Sequence, residues 1–170
     1  MYSPKKHHND SIYPEINRHY PPPEIAIGQP INVGPWSTGL CDFCDDYNSC
    51  CLTLWCPCVT FGRIAEIVDE GVVSCRLSGT LFTLLIAVFG FACCYTSWYR
   101  SKLRTRYLLE EECNDCMVHV LCEHLALCQE YRELQNRGYN MSLGWEGNVE
   151  RQRRAAMVMQ QPEMQGEMKR

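Results

Sequence analysis

The sequence predicts an all-α membrane protein: a helical hairpin of two membrane segments, the first kinked at a Cys-Pro-Cys motif, followed by an amphipathic cytosolic helix. Three observations predict it. Residues 77–99 form a run of 23 without a charge, closed by Arg76 and Arg100. A second charge-free run, 47–62, carries Cys56-Pro57-Cys58 in its middle and passes into an apolar periodicity that lasts to about residue 70. In residues 113–135, Met117, Val120, Leu121, Leu125, Leu127, Cys128, Tyr131 and Leu134 recur at helical spacing.

Composition sets the frame. The 170 residues suit one domain, and the 46% that are hydrophobic concentrate in the middle of the chain. Residues 1–35, with Pro21-Pro22-Pro23 and further prolines, read as a disordered N-terminal tail; residues 149–170, rich in Gln, Arg and Met, read as a disordered C-terminal one. Between them, 36–148 reads as a cysteine-rich membrane domain. The net charge of −4 and the absence of a long basic face argue against a nucleic-acid partner. There are thirteen cysteines, an odd number. The start of the chain has no apolar core of a secretory signal, so a disulfide-stapled secreted domain is not expected and the thiols are read as reduced. The sequence contains no Gly-rich phosphate loop, Gly-x-Ser-x-Gly or His-Glu-x-x-His, so no enzyme is expected.

In the first segment, Asn48 or Ser49 can cap a helix, and Pro57 must kink it or open a new helix at its first turn, because proline lacks an N–H and clashes with the preceding turn. Phe61, Ile64, Ala65, Ile67 and Val68 then form an apolar side, and Gly71 supplies a stop. Segment 77–99, taken as one helix, is about 34 Å long, against a hydrocarbon core of about 30 Å. Tyr95, Trp98 and Tyr99 crowd one end as interfacial aromatics do. Gly79, Thr83 and Ala87, continued by Gly90 and Cys94, give a small-residue face for close helix packing, within a chain or between chains. Arg100, Lys102, Arg104 and Arg106 follow the run while Arg76 alone precedes it, which puts the C-terminal side in the cytosol. If 47–68 also crosses, both termini are cytosolic.

The chemistry gathers on cysteine. Cys50, Cys51, Cys56 and Cys58 lie within nine residues of an apolar run. Thiolates are soft ligands for zinc, copper(I) and related ions, and costly to bury without a positive partner. The residues alone leave two readings open, inert buried thiols or metal ligands at a membrane. Cys41-Asp42-Phe43-Cys44 and Cys113-Asn114-Asp115-Cys116 are two Cys-x-x-Cys pairs that could close one tetrahedral site if the fold joins them, with His119 as a substitute ligand. Cys116, His119, Glu123 and Glu130 fall within about 60° on a helical wheel. Cys51, Cys58, Glu66 and Asp69 fall within about 80°, so Glu66, Asp69 and Glu70 read as an acidic mouth or as a solvated face.

The motif Cys50-Cys51-Leu-Thr-Leu-Trp-Cys56-Pro57-Cys58 resembles the signature of the placenta-specific-8-type cysteine-rich family. So do Trp36-Ser-Thr-Gly-Leu-Cys41, Thr60-Phe-Gly-Arg-Ile-Ala-Glu-Ile-Val-Asp69, Gln129-Glu-Tyr-Arg-Glu-Leu134 and the stretch from Arg137 to Asn148. Within that family the chain is similar to the group of plant cadmium resistance proteins and cell number regulators. The resemblance implies a plasma-membrane protein in zinc and cadmium tolerance, with Cys50, Cys51, Cys56 and Cys58 needed for metal handling. The expectation that follows is a homo-oligomeric exporter or channel-like transporter of divalent metal, in contact with membrane lipid. Its path would use Glu66, Asp69, Glu70, Cys51, Cys58 and Glu123, and the Cys-x-x-Cys pairs would form a cytosolic structural or sensing site. The other expectation is a membrane-anchored scaffold that regulates cell number through protein partners, with structural metal only.

Overall fold

A computed structural model describes residues 33–42, 46–111 and 114–160. Among the described residues there are six helices: α1 (Tyr47–Trp55), α2 (Pro57–Val68), α3 (Cys75–Phe89), α4 (Cys93–Tyr107), α5 (Asp115–Asn136) and α6 (Gly144–Gln160). Among the described residues the only β pairing is an isolated bridge between Gly34 and Leu109, which ties segment 33–42 to the end of α4.

The first segment is kinked where proline requires it. Asp46 caps α1 by accepting from the Asn48 N–H, the helix stops at Cys56, and Pro57 opens α2. The two axes differ by 112°. Inside the elbow, the Thr53 hydroxyl donates to the Ser49 carbonyl at 2.8 Å and lies 3.2 Å from the Thr60 hydroxyl, so the polar groups of the bend satisfy one another. Helix α2 is the centre of the molecule, touching α1, α3, α4, α5 and α6. Its Phe61 is fully buried among Phe82, Tyr95 and Tyr99, with ring centroids 5.1–5.3 Å apart. Glu70 and Gly71 take left-handed backbone and end the helix, Gly71 N–H returning to the Glu66 carbonyl at 2.8 Å.

The expected single helix over 77–99 is two helices. Ser74 caps α3, whose Gly90 takes φ 76° and returns its N–H to Ile86. The chain then restarts at Cys93. Glycine in left-handed conformation closes a helix at no steric cost, so the charge-free run is interrupted where the sequence pattern read small-residue packing. Helix α3 has 15 residues and spans about 22 Å, short of a hydrocarbon core. Among the described residues no single helix is long and apolar enough to cross a membrane; α1 and α2 together have the length and composition, but bent. The apolar surface is nevertheless large: Leu54, Trp55, Leu77, Leu84, Val88, Phe89 and Phe91 are all exposed.

The aromatic end of the run also lies elsewhere than expected. Tyr99 is in the core, and the four cations after it are all paired inside the chain: Arg100 with Glu130, Lys102 with Asp69, Arg104 with Asp115 and Arg106 with Glu70. Helix α5 appears where the periodicity places it, broken at Cys122 (φ −140°, ψ 47°). Helix α6 occupies 144–160, so helix continues past the residue where the sequence suggests a disordered tail. It is anchored by Asn148, whose side-chain amide donates to the Asn140 and Gly144 carbonyls at 2.8 and 2.6 Å. The rest of that tail and the proline-rich N-terminal tail lie outside the described residues.

Candidate metal-handling site

The four thiols of the central motif sit on the elbow. Cys50 and Cys51 are in α1, Cys56 is the residue between the helices, and Cys58 is in the first turn of α2. Cys56 is exposed and the other three are half-buried. Trp55, 81% exposed, stands beside them, so the thiols share an open apolar surface. All eleven cysteines among the described residues are free thiols. Cys128, by contrast, is buried, and burial pushes its thiol pKa up, as expected of an inert thiol.

The Cys-x-x-Cys pairs are only half visible, since Cys44 and Cys113 lie outside the described residues. Cys41 is exposed. Cys116 is set against Cys93 and Cys94, the three sulfurs all lying within 4.8 Å of one another. Among the described residues this is the single group of three or more Cys, His, Asp or Glu ligand atoms gathered so closely. Sequence reasoning counted Cys94 as a small residue within a continuous span and passed over Cys93. The signal that would have found them is Gly90, because a helix that stops there puts the adjacent pair at the start of the next one.

The carboxylates assigned to an acidic mouth are taken up by the fold. Glu66 accepts the Cys75 N–H at 3.1 Å on one oxygen and the Trp145 N–H at 3.0 Å on the other. It thereby caps two helix N-termini, α3 and α6, where unpaired N–H groups and the helix dipole favour an anion. Asp69 accepts from the Tyr99 hydroxyl at 2.7 Å and from the Lys102 ammonium. Glu70 pairs with Arg106 at 2.5 Å.

The α5 residues split between two settings. His119 is buried, with Nε2 3.0 Å from Glu130 Oε1 and no protein partner for Nδ1. The same Glu130 oxygen accepts from Arg100 at 3.2 Å, and the Arg100 guanidinium donates to Gln129 at 2.7 Å and stacks over Trp36 at 4.1 Å. His119, Glu130, Arg100, Gln129 and Trp36 thus form a buried ionic network. Glu123 is half-buried and accepts from the Thr96 hydroxyl at 3.3 Å. Burial raises its carboxyl above the ordinary range, against smaller opposing effects of His119 and Thr96. A raised carboxyl favours the fold at low pH and loses that contribution as pH rises through the folded-state value. Glu123→Gln is therefore expected to raise the melting temperature near neutral pH, with the gain shrinking as pH falls toward the free carboxyl value of about 4.3. Melting curves across that range check it; a gain that grows on acidification refutes it.

Residues 36–133 match the model of the PLAC8 family. The chain belongs to the PLAC8 family. Among its relatives, Protein PLANT CADMIUM RESISTANCE 2 of Arabidopsis thaliana is 50% identical over 144 residues, covering 84% of this chain and 95% of that protein. Cell number regulator 1 of Zea mays is 56% identical over 120 residues, covering 70% of this chain and 63% of that protein. Cell number regulator 9 of Zea mays is 49% identical over 148 residues, covering 86% and 83%. No solved structure matches the chain. The PLAC8 match takes in the elbow, both visible halves of the Cys-x-x-Cys pairs and the buried α4–α5 network, so every setting described above except α6 lies within it.

Proposed function

We propose that this PLAC8 protein is a plasma-membrane metal-tolerance protein that moves zinc or cadmium out of the cell as a homo-oligomer, without enzymatic chemistry. The observation that carries the reading is the elbow: four free thiols on a bend whose surroundings are apolar and open. The name and near-complete coverage of the cadmium-resistance relative support the choice of ion. In this reading α1 and α2 enter the bilayer as a broken, re-entrant segment and α3 turns its apolar face to lipid, with both termini cytosolic. Cys51 and Cys58 bind the ion transiently, since a path must release what it binds. One hairpin is too small to enclose a path, which is why several copies are required. Glu66 and Asp69 act by holding the helices that position the elbow, because their oxygens already serve backbone and side-chain donors.

A second reading is favoured by that same occupation of the carboxylates and by the relatives named cell number regulators. In it the chain is a membrane-anchored scaffold for protein partners in growth control, and metal is structural. Flux of zinc and cadmium across liposomes containing only the purified protein separates the two, with and without a pH gradient. The transport reading expects flux in wild type and its loss in Cys51→Ser/Cys58→Ser at equal incorporation. No flux under either condition, with metal still bound, counts against transport and favours the scaffold reading.

A further inference from the structure

We propose that Cys93, Cys94 and Cys116 form a second metal site, separate from the elbow, that holds one thiophilic ion such as zinc, cadmium or copper(I) as a tris-thiolate and clamps the start of α4 to the start of α5. It stands whether or not the elbow moves ions.

The geometry is close to what such an ion needs. A metal–sulfur bond of about 2.3 Å sets sulfur–sulfur separations of roughly 3.8 Å in a tetrahedron and 4.0 Å in a trigonal plane. The three sulfurs already lie within 4.8 Å of one another, so side-chain rotation suffices to close the shell. Cys93 and Cys94 are neighbours in sequence, but Cys116 comes from the next helix, 22 residues beyond Cys94, so its meeting with them is a product of the fold. Three sulfur ligands without a carboxylate select soft ions over magnesium or calcium.

The three thiols stand at the starts of two helices. Cys93 and Cys94 are the first two residues of α4, whose N-cap Ala92 brings no side-chain acceptor, and Cys116 is in the first turn of α5. The α5 N-terminus is capped by Asn114, whose side chain accepts the Cys116 N–H at 3.0 Å, while the α4 N-terminus carries no side-chain cap. The nearest carboxylate in sequence, Asp115, is held by Arg104 at 2.9 Å and lies 3.5 Å from Arg100, so its charge is already matched. Cys94 is exposed and the other two are half-buried, which leaves a way in for the ion. Disulfide pairing leaves one thiol of three over, whereas a single ion uses all of them.

The test is cadmium binding to the full chain, purified in detergent under reducing conditions. Sulfur-to-cadmium charge-transfer absorption and native mass give affinity and stoichiometry. Wild type is compared with Cys116→Ser, with Cys93→Ser/Cys94→Ser/Cys116→Ser, and with the elbow variant Cys50→Ser/Cys51→Ser/Cys56→Ser/Cys58→Ser. The triple variant is expected to hold one cadmium fewer than wild type. Cys116→Ser should weaken one site by at least the roughly 10–100-fold that loss of a mere supporting partner of a ligand costs, and the elbow variant should keep that site. Alkylation mapped by peptide mass adds a readout that needs no variant: cadmium should protect Cys93, Cys94 and Cys116 together in wild type. Equal stoichiometry and absorption in the triple variant, or alkylation of these three thiols at an unchanged rate in cadmium, overturns the site. Loss of flux in the liposome assay bears on the elbow alone and leaves this result standing.

Discussion

Arg100→Met is expected to lower stability by about 3–5 kcal/mol, the range measured when one member of a buried ion pair is removed. Arg100 is 2% exposed and Glu130 0%. Without the guanidinium, Glu130 keeps one protein partner, the His119 ring, and its other oxygen already lacks one. The substitution also strips the face of Trp36, whose indole N–H donates to the Glu110 carbonyl, so segment 33–42 loosens from α4 and α5. Ser37 N–H on Glu133 and the Gln129 amide on the Thr38 carbonyl lie on the same seam. Thermal unfolding of the detergent-purified chain measures the loss, and hydrogen exchange at 36–40 locates it. Glu130→Gln added to Arg100→Met removes the stranded charge and should restore a good part of the stability, because the penalty comes from the unpaired ion more than from the lost attraction. Two losses that simply add would show that the pair is wet and the network no more than decorative.

The same arginine shows where the sequence stopped being informative. Four cations after an apolar run read as a cytosolic flank, and nothing local to 100–106 says otherwise. Their partners are Glu130, Asp69, Asp115 and Glu70, and all but Asp115 lie about 30 residues or more away in the chain. The setting of Glu66 was hidden for the matching reason: its carboxylate accepts N–H groups of α3 and α6, one of them 79 residues distant. Local signals did better. Pro57, Gly71 and the periodicity of α5 each mark a backbone event that a few neighbouring residues determine, and each appears in the fold within a residue or two. The break at Gly90 was equally local, but inside an apolar run a glycine serves two purposes, close packing and helix closure. The run's length favoured the first. Its consequence for Cys93 and Cys94 was hidden for the same reason. Helix α6 lacks a strong apolar stripe, and what fixes it is the Glu66 carboxylate at its N-terminus, the Asn148 amide on the Asn140 and Gly144 carbonyls, and Trp145 near Tyr139, contacts that composition does not reveal.

Gly62→Ala and Gly79→Ala are each expected to destabilise the protein by about 1–3 kcal/mol, the usual range for overpacking a tight contact. The sign is the informative part. In an open helix position alanine is better than glycine by roughly 0.8–1.0 kcal/mol, so both changes would stabilise if these residues merely completed their helices. Here a Cβ on Gly62 would stand 2.4 Å from the Cys75 carbonyl oxygen, and a Cβ on Gly79 would stand 2.7 Å from that of Cys58. Each glycine admits the backbone of the other helix, so α2 and α3 are locked at two points along their contact. The small-residue face around Gly79 is thus used within the chain. Because the obstructing atoms are backbone, relief requires the helices to move apart, and Gly62→Ala should cost more than Gly79→Ala. Gly34→Ala, with nothing within 4 Å of its Cβ, is the control expected to be neutral. The pair Gly62→Ala/Gly79→Ala should lose less than the sum, since once one point has forced the helices apart the second finds room. Separation at Cys58 also shifts the elbow, so thermal melting and metal retention should fall together in Gly79→Ala. A melting temperature that rises in both single variants would mean that α2 and α3 do not approach this closely.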